Sequence, residues 1–148
     1  MKKTINLCFC GNNAYIPYIG VALQSILCNL HPDYTLSVFL ICDFASRENE
    51  QKLRRLLVGH SLQILPIDRK KLEGIKVCGY PGIETYFRLF MPEYIEVEKI
   101  LYLDGDIIVN TDIAPLRETD LGKYTIGMAR YFHTYFDQKQ QKPVVEGF

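Results

Sequence analysis

Two aspartates one residue apart, Asp104 and Asp106, close one apolar run and open another in Lys99-Ile100-Leu101-Tyr102-Leu103-Asp104-Gly105-Asp106-Ile107-Ile108-Val109. Where the backbone stays extended, positions i and i+2 point to the same side, so the two carboxylates can approach one cation together. Hard oxygen donors in that number suit Mg2+ or Mn2+, which keep further positions for phosphate oxygens. Gly105 between them lets a ligand come close to the backbone. A buried strand that ends in two charges must bring them to water, a cation or hydrogen-bond donors, because unpaired buried charge is costly. The pattern reads as a metal-diphosphate site, against the plainer reading of a solvated turn at a strand end.

The elements that must position this pair follow from periodicity. Residues 4–10 are an almost unbroken apolar run, the pattern of a strand covered on both faces. Pro17 suits a helix start, and Ile19, Leu23, Ile26, Leu27 and Leu30 recur at helical spacing up to His31-Pro32-Asp33. A second strand is expected over 36–42. Ser46 can cap a helix with the stripe Leu53, Leu56 and Leu57, and Gly59 fits just past its end. Residues 62–66 read as a third strand. This alternation predicts an α/β domain with a mostly parallel sheet flanked by helices.

Ligands of such sheets bind outside the carboxyl ends of the strands. Those ends here are Cys10-Gly11-Asn12-Asn13 and Leu103-Asp104-Gly105-Asp106, two polar tips expected to converge on one crevice. Between them come a turn, Gly79-Tyr80-Pro81-Gly82, and a short helix over 84–91 ended by Pro92. Arg88 is the one cation of that mostly apolar helix. It either snorkels to water or aims its guanidinium at the crevice, where it could clamp a carboxylate, a phosphate or sugar hydroxyls. Beyond the aspartates a turn at Asn110-Thr111-Asp112, a helical turn over 114–116, a strand over 124–129 and a mobile polar tail over 137–143 are expected.

Composition bounds the partners. Within 148 residues, 17 Lys and Arg balance 17 Asp and Glu, so no strong field favours nucleic acid or an anionic membrane. The basic runs Arg69-Lys70-Lys71 and Lys52/Arg54/Arg55 read as solvated faces. The basic start Met1-Lys2-Lys3 precedes an apolar stretch too short for a signal peptide, and no run reaches the length of a membrane span. Cys8, Cys10, Cys28, Cys42 and Cys78 form no C-x-x-C pair, which suggests reduced core thiols and a reducing compartment. The expected location is the cytoplasm, free or peripheral to the inner face of the membrane. His31, His60 and His133 are scattered and read as surface or loop residues.

Four segments in order resemble glycosyltransferase family 8: residues 9–27, Thr85-Tyr86-Phe87-Arg88-Leu89, residues 99–106, and Pro115-Leu116 with Thr119-Asp120-Leu121-Gly122. That family includes bacterial lipopolysaccharide galactosyl- and glucosyltransferases and, more distantly, glycogenin. The resemblance implies a GT-A-type, Rossmann-like sheet and a UDP-hexose donor. It also implies Mn2+ or Mg2+, and transfer to a glycan such as lipopolysaccharide core with retention of anomeric configuration. It places Asp104 and Asp106 on the metal-binding aspartates and Arg88, with Asp104, at the donor sugar. Tyr15 falls on the tyrosine that stacks on uracil, Cys10, Gly11 and Asn12 lie on the loop around the base, and Asp104 and Gly105 lie beside the nucleotide.

Two departures stand out. The family commonly shows an aspartate, one further residue, an asparagine and then the tyrosine, whereas this chain reads Asn12-Asn13-Ala14-Tyr15. Arg130-Tyr131 stands where many members carry an acidic residue facing the acceptor. Family members also continue beyond this length, with an acidic residue near the reacting carbon and a histidine as third metal ligand. Residues 1–148 are therefore expected to form the nucleotide-sugar-binding part of the domain, incomplete at the C-terminus. By themselves they should lack turnover and expose an edge that favours oligomers. The alternatives are a nucleotide-sugar-binding module without turnover and a sugar-1-phosphate nucleotidyltransferase. The latter usually needs a glycine-rich basic loop after the first strand, and Asn12-Asn13-Ala14-Tyr15 carries no cation.

Overall fold

The structure, a computed structural model, describes residues 2–75 and 82–129 together with the backbone of a short strand pair beyond them. Strand β1 (Lys3–Cys10) leads to helix α1 (Ile16–Asn29), β2 (Tyr34–Cys42), α2 (Arg47–Leu56) and β3 (Ser61–Pro66). Two 3-10 helices follow, Arg69–Leu72 and Ile83–Phe90, and then α3 (Met91–Tyr94), β4 (Leu101–Tyr102) and α4 (Ala114–Glu118). Strands β5 (Tyr135–Phe136) and β6 (Pro143–Val144) pair antiparallel.

The main sheet has the order β3-β2-β1-β4, and its three ladders are all parallel. Alternation along each strand sorts the core into two layers. Ile5, Leu7 and Phe9 of β1 join Leu36, Val38 and Leu40 of β2 beneath Ile19, Leu23, Ile26 and Leu53 of the helices. On the opposite face Cys8, Phe39 and Ile41 pack against Phe87 and Ile95. Such double coverage is why these strands read as continuous apolar runs.

The helix signals act as expected. Pro17 lies in the first turn of α1, where a missing N–H costs nothing. The Ser46 hydroxyl accepts the Asn49 N–H at 3.2 Å to cap α2, with Glu48 and Glu50 in its first turn and Arg54 and Arg55 in its last. Gly59 then takes the left-handed conformation with φ at 84°.

Other expectations are corrected. Residues 83–90 are a 3-10 helix, and Pro92 opens α3 rather than ending a helix, since a proline fits a first turn. Strand β4 is only two residues long. Residues 124–129 form no strand despite their β-prone composition; Tyr124, Ile126 and Met128 are exposed. Cys8 and Cys42 are buried thiols, but Cys28 is exposed on α1 and Cys10 is half-buried. Burial and the Asp43 carboxylate push the Cys42 thiol up to about 11. Cys78, Gly79-Tyr80-Pro81, Arg130, Tyr131, His133 and residues 137–142 lie outside the described residues, and Pro143 of the expected tail belongs to β6. Among the described residues no helix is long and apolar enough to cross a membrane.

Candidate functional site

The strand order sets where a ligand can lie. β2 and β3 extend to one side of β1 and β4 lies on the other, so the winding reverses between β1 and β4. At such a reversal a crevice opens outside the carboxyl ends of the two strands. A cleft of ≈ 390 Å³ occupies this position, and every residue expected at the site lines it. Cys10, Gly11, Asn12 and Tyr15 come from the end of β1 and its loop, Arg88 from the second 3-10 helix, and Asp104, Gly105 and Asp106 from the end of β4. Gly82, Glu84, Thr85 and Tyr102 complete the lining without having been anticipated.

The loop after β1 is fixed by its asparagines. Asn12 Oδ1 accepts the backbone N–H groups of Ala14 and Tyr15 at 3.0 and 3.2 Å, an Asx-type turn into α1. Its Nδ2 donates to Glu84 Oε1 at 2.9 Å. Asn13 turns the other way: its Oδ1 accepts from the Ser46 N–H at 2.8 Å and from Asn49 Nδ2 at 3.0 Å. The Tyr15 ring is half-buried and packs on Tyr18 with centroids 5.4 Å apart, so one flank lies on protein while the residue lines the cleft.

The aspartates reach the cleft by a route other than the expected one. Leu103 N–H still bonds to Cys8 O at 3.1 Å, but Gly105 and Asp106 form a turn, so the backbone is not extended across the pair. The i, i+2 rule applies one step earlier, to Tyr102 and Asp104, whose hydroxyl and Oδ1 meet at 2.9 Å. That alternation was the signal by which Tyr102 could have been found. Burial first, then the neighbouring Cys10 and Asp104, push the Tyr102 hydroxyl far above the ordinary phenol value, which keeps it a donor. Beyond the turn, Val109 N–H donates to Ser25 Oγ at 2.9 Å and Val109 O accepts from Asn29 Nδ2 at 3.0 Å, so α1 holds the segment. Gly105 is buried, and a Cβ there would fall 2.6 Å from Ile19 Cγ1. Close packing on α1, rather than room for a ligand, is what demands glycine at this position.

Arg88 faces the cleft rather than snorkelling away. Its Nε donates to Thr85 O at 2.9 Å, its Nη2 to Asp104 Oδ1 at 3.3 Å, and its guanidinium lies 4.7 Å from the Tyr102 ring centroid. With side chains 39% and 57% exposed, the ion pair contributes little stability and serves orientation. On the other aspartate, the Tyr15 hydroxyl donates to Asp106 Oδ2 at 3.2 Å. The charged lining is thus three carboxylates, Glu84, Asp104 and Asp106, against one guanidinium.

That balance bears on cation binding. The described hydrogen bonds take one oxygen of each aspartate, Oδ1 of Asp104 and Oδ2 of Asp106. Two exposed carboxylates in a cleft with surplus negative charge fit a hard divalent ion that completes its shell with water and phosphate oxygens. Among the described residues no third His, Cys, Asp or Glu joins them as a ligand cluster. A second cavity of ≈ 460 Å³, between α1 and α2 beside Ile16, Val21, Leu53 and Leu56, is apolar and offers no comparable chemistry.

Known proteins are similar to this chain in sequence and in fold. The chain is 31% identical over 141 residues to glycosyltransferase GlyF of Streptococcus pneumoniae serotype 4, which covers 94% of this chain and 34% of that protein. It is 26% identical over 119 residues to lipopolysaccharide 1,2-glucosyltransferase of Escherichia coli K12, covering 78% of this chain and 35% of that one. Among solved structures, galactosyltransferase LgtC in complex with donor and acceptor sugar analogues superposes with a TM-score of 0.72 at 29% identity, over 80% of this chain and 44% of that one. The chain spans about a third to two fifths of the length of such curated relatives, 34% of one and 42% of another. The all-parallel sheet flanked by helices is that of GT-A glycosyltransferases such as LgtC. With the description Glycosyl transferase family 8 matched across residues 6–147, from within β1 to the last strand, the chain belongs to glycosyltransferase family 8.

Proposed function

We propose that this chain is the nucleotide-sugar-binding part of a retaining hexosyltransferase. It moves a hexose, galactose or glucose, from a UDP-sugar to a hydroxyl of a glycan such as lipopolysaccharide core. The observation that carries this reading is the convergence, in one cleft, of an aromatic ring, two aspartates and a guanidinium from three separate elements. Tyr15 supplies a face for the base, with Cys10, Gly11 and Asn12 around it. Asp104 and Asp106 hold Mn2+ or Mg2+, which when bound neutralises charge on the diphosphate leaving group. Arg88, braced by Thr85 O and the Tyr102 ring, orients the donor beside Asp104. Tyr102 keeps its proton and fixes the Asp104 carboxylate.

The test uses the full-length protein with UDP-galactose or UDP-glucose, Mn2+ and a lipopolysaccharide-core acceptor, reading UDP release and the anomer formed. UDP release that stops on chelation, with the anomeric configuration kept, is expected. Consumption of a nucleoside triphosphate with a sugar 1-phosphate would replace this reading by nucleotidyl transfer. Binding without any turnover would replace it by a binding module.

A further inference from the structure

The side-chain amide of Asn12 is oriented by its neighbours. Two backbone N–H groups, of Ala14 and Tyr15, converge on one terminal atom, which must be the oxygen. The other terminal atom faces Glu84 Oε1 at 2.9 Å and must be the nitrogen. An aspartate at position 12 would set two carboxylates against each other at that spacing. Asparagine at position 12 thus suits a neighbouring Glu84 where an aspartate would not. Its oxygen is turned inward, so the acceptor presented at this end of the cleft is the Glu84 carboxylate, and Asn12 contributes a second N–H.

Glu84 is seated rather than splayed. A Cβ on Gly82 would fall 2.5 Å from Glu84 Oε2, so the glycine leaves the space that this carboxylate fills. With Oε1 bonded to Asn12, the loop after β1 and the 3-10 helix, 72 residues apart in the chain, present one acceptor beside one donor in the wall of the cleft.

We infer that Glu84 and Asn12 together read the base edge of the nucleotide. The Glu84 carboxylate accepts the N3–H of uracil, and the second amide N–H of Asn12 donates to the adjoining carbonyl. This rests on the reading of the cleft as a UDP-sugar site and names the residues that select its base. Uracil presents a ring N–H beside a carbonyl, the complement of an acceptor beside a donor. Cytosine presents an unprotonated ring nitrogen beside an amino group, which sets acceptor against acceptor and donor against donor, and buried mismatches of this kind are costly.

The test is calorimetry of UDP, CDP and GDP binding to the full-length protein in Mn2+, for the wild type and Glu84→Gln. Wild type should prefer UDP to CDP by about tenfold or more, the scale of one hydrogen bond to a charged group. Glu84→Gln, with its oxygen kept on Asn12, turns an amide N–H toward the base and should shrink that preference at an unchanged unfolding midpoint. Equal losses for UDP and CDP would reduce the Asn12–Glu84 bond to a structural latch. Equal wild-type affinities for the two would overturn the assignment without any variant, and tighter GDP binding would overturn the choice of uracil. A wild type that binds no nucleoside diphosphate would instead remove the proposed function itself.

Discussion

The Tyr15 hydroxyl donates to Oδ2 of Asp106 across 3.2 Å, joining residues 91 positions apart in the chain. The loop after β1 and the acidic turn after β4 are thereby one unit at the cleft. Tyr15→Phe keeps the ring and drops the tie, whereas Tyr15→Ala drops both. UDP binding should weaken by ~1–3 kcal/mol in Tyr15→Ala, the scale of base–aromatic stacking. In Tyr15→Phe the loss should be about 1 kcal/mol or less, the net worth of one hydrogen bond. Calorimetry showing wild-type affinity in Tyr15→Ala would take the ring away from the base.

Asp104 and Asp106 should carry the cation dependence of nucleotide binding. Titration of UDP with and without Mn2+ should show strong stimulation by the ion in the wild type and little in Asp104→Ala or Asp106→Ala. Metal-independent binding, equal in all three proteins, would sink the assignment.

Arg88 makes three contacts at once, to Thr85 O, Asp104 Oδ1 and the face of Tyr102. A lysine ammonium cannot reproduce that planar fork. Arg88→Lys should weaken UDP-hexose binding clearly more than UDP binding. Equal, small effects on both ligands would leave the guanidinium with no role at the sugar.

Gly105 tests packing rather than chemistry. The new methyl of Gly105→Ala would lie 2.6 Å from Cγ1 of the buried Ile19 of α1 and 3.4 Å from Cδ1 of the half-buried Tyr15. Overpacking of this kind costs about 1–3 kcal/mol. A lower midpoint in thermal or urea unfolding is expected, and because Ile19 is itself a core residue, the losses of Gly105→Ala and Ile19→Ala should sum to more than the loss in the double variant. An unchanged midpoint would mean that the turn shifts freely away from α1.

His60 should set an acid limit on stability. Its Nδ1 accepts the Leu36 backbone N–H at 3.0 Å, which requires a neutral ring carrying its proton on Nε2. Burial, and then the Lys2 ammonium, hold this imidazole below the ordinary histidine value of 6.5. A folded-state value below the unfolded one contributes stability that is fully present above 6.5 and is lost as pH falls through the folded value. Unfolding midpoints should therefore drop on acidification below 6.5, and drop less in His60→Gln. Parallel pH profiles for the two proteins would assign the acid sensitivity elsewhere.

The sheet was legible because its strands are covered on both faces: the runs that became β1, β2 and β3 leave few alternatives to buried strands. The meeting of the two polar tips followed from the same topology. Less legible was everything decided by tertiary contact. Nothing local distinguishes the 3-10 path of Ile83–Phe90 from an α-helix, and it packs Phe87 under the sheet while turning Arg88 toward Asp104. The apolar pattern of residues 124–129 pairs with no strand among the described residues. Glu84 carried no motif of its own; the only trace was an asparagine at position 12 where a carboxylate was expected, and its partner lies 72 residues away.

The surplus of carboxylates over guanidinium in the cleft has a thermodynamic corollary. A divalent cation would relieve the repulsion that an anionic nucleotide meets there, and the nucleotide's phosphate oxygens would complete the shell of the cation, so the two ligands would be linked. Linkage is reciprocal: whatever factor the ion adds to nucleotide affinity, the nucleotide adds to the affinity for the ion. Joint occupancy should rise with the product of the two concentrations.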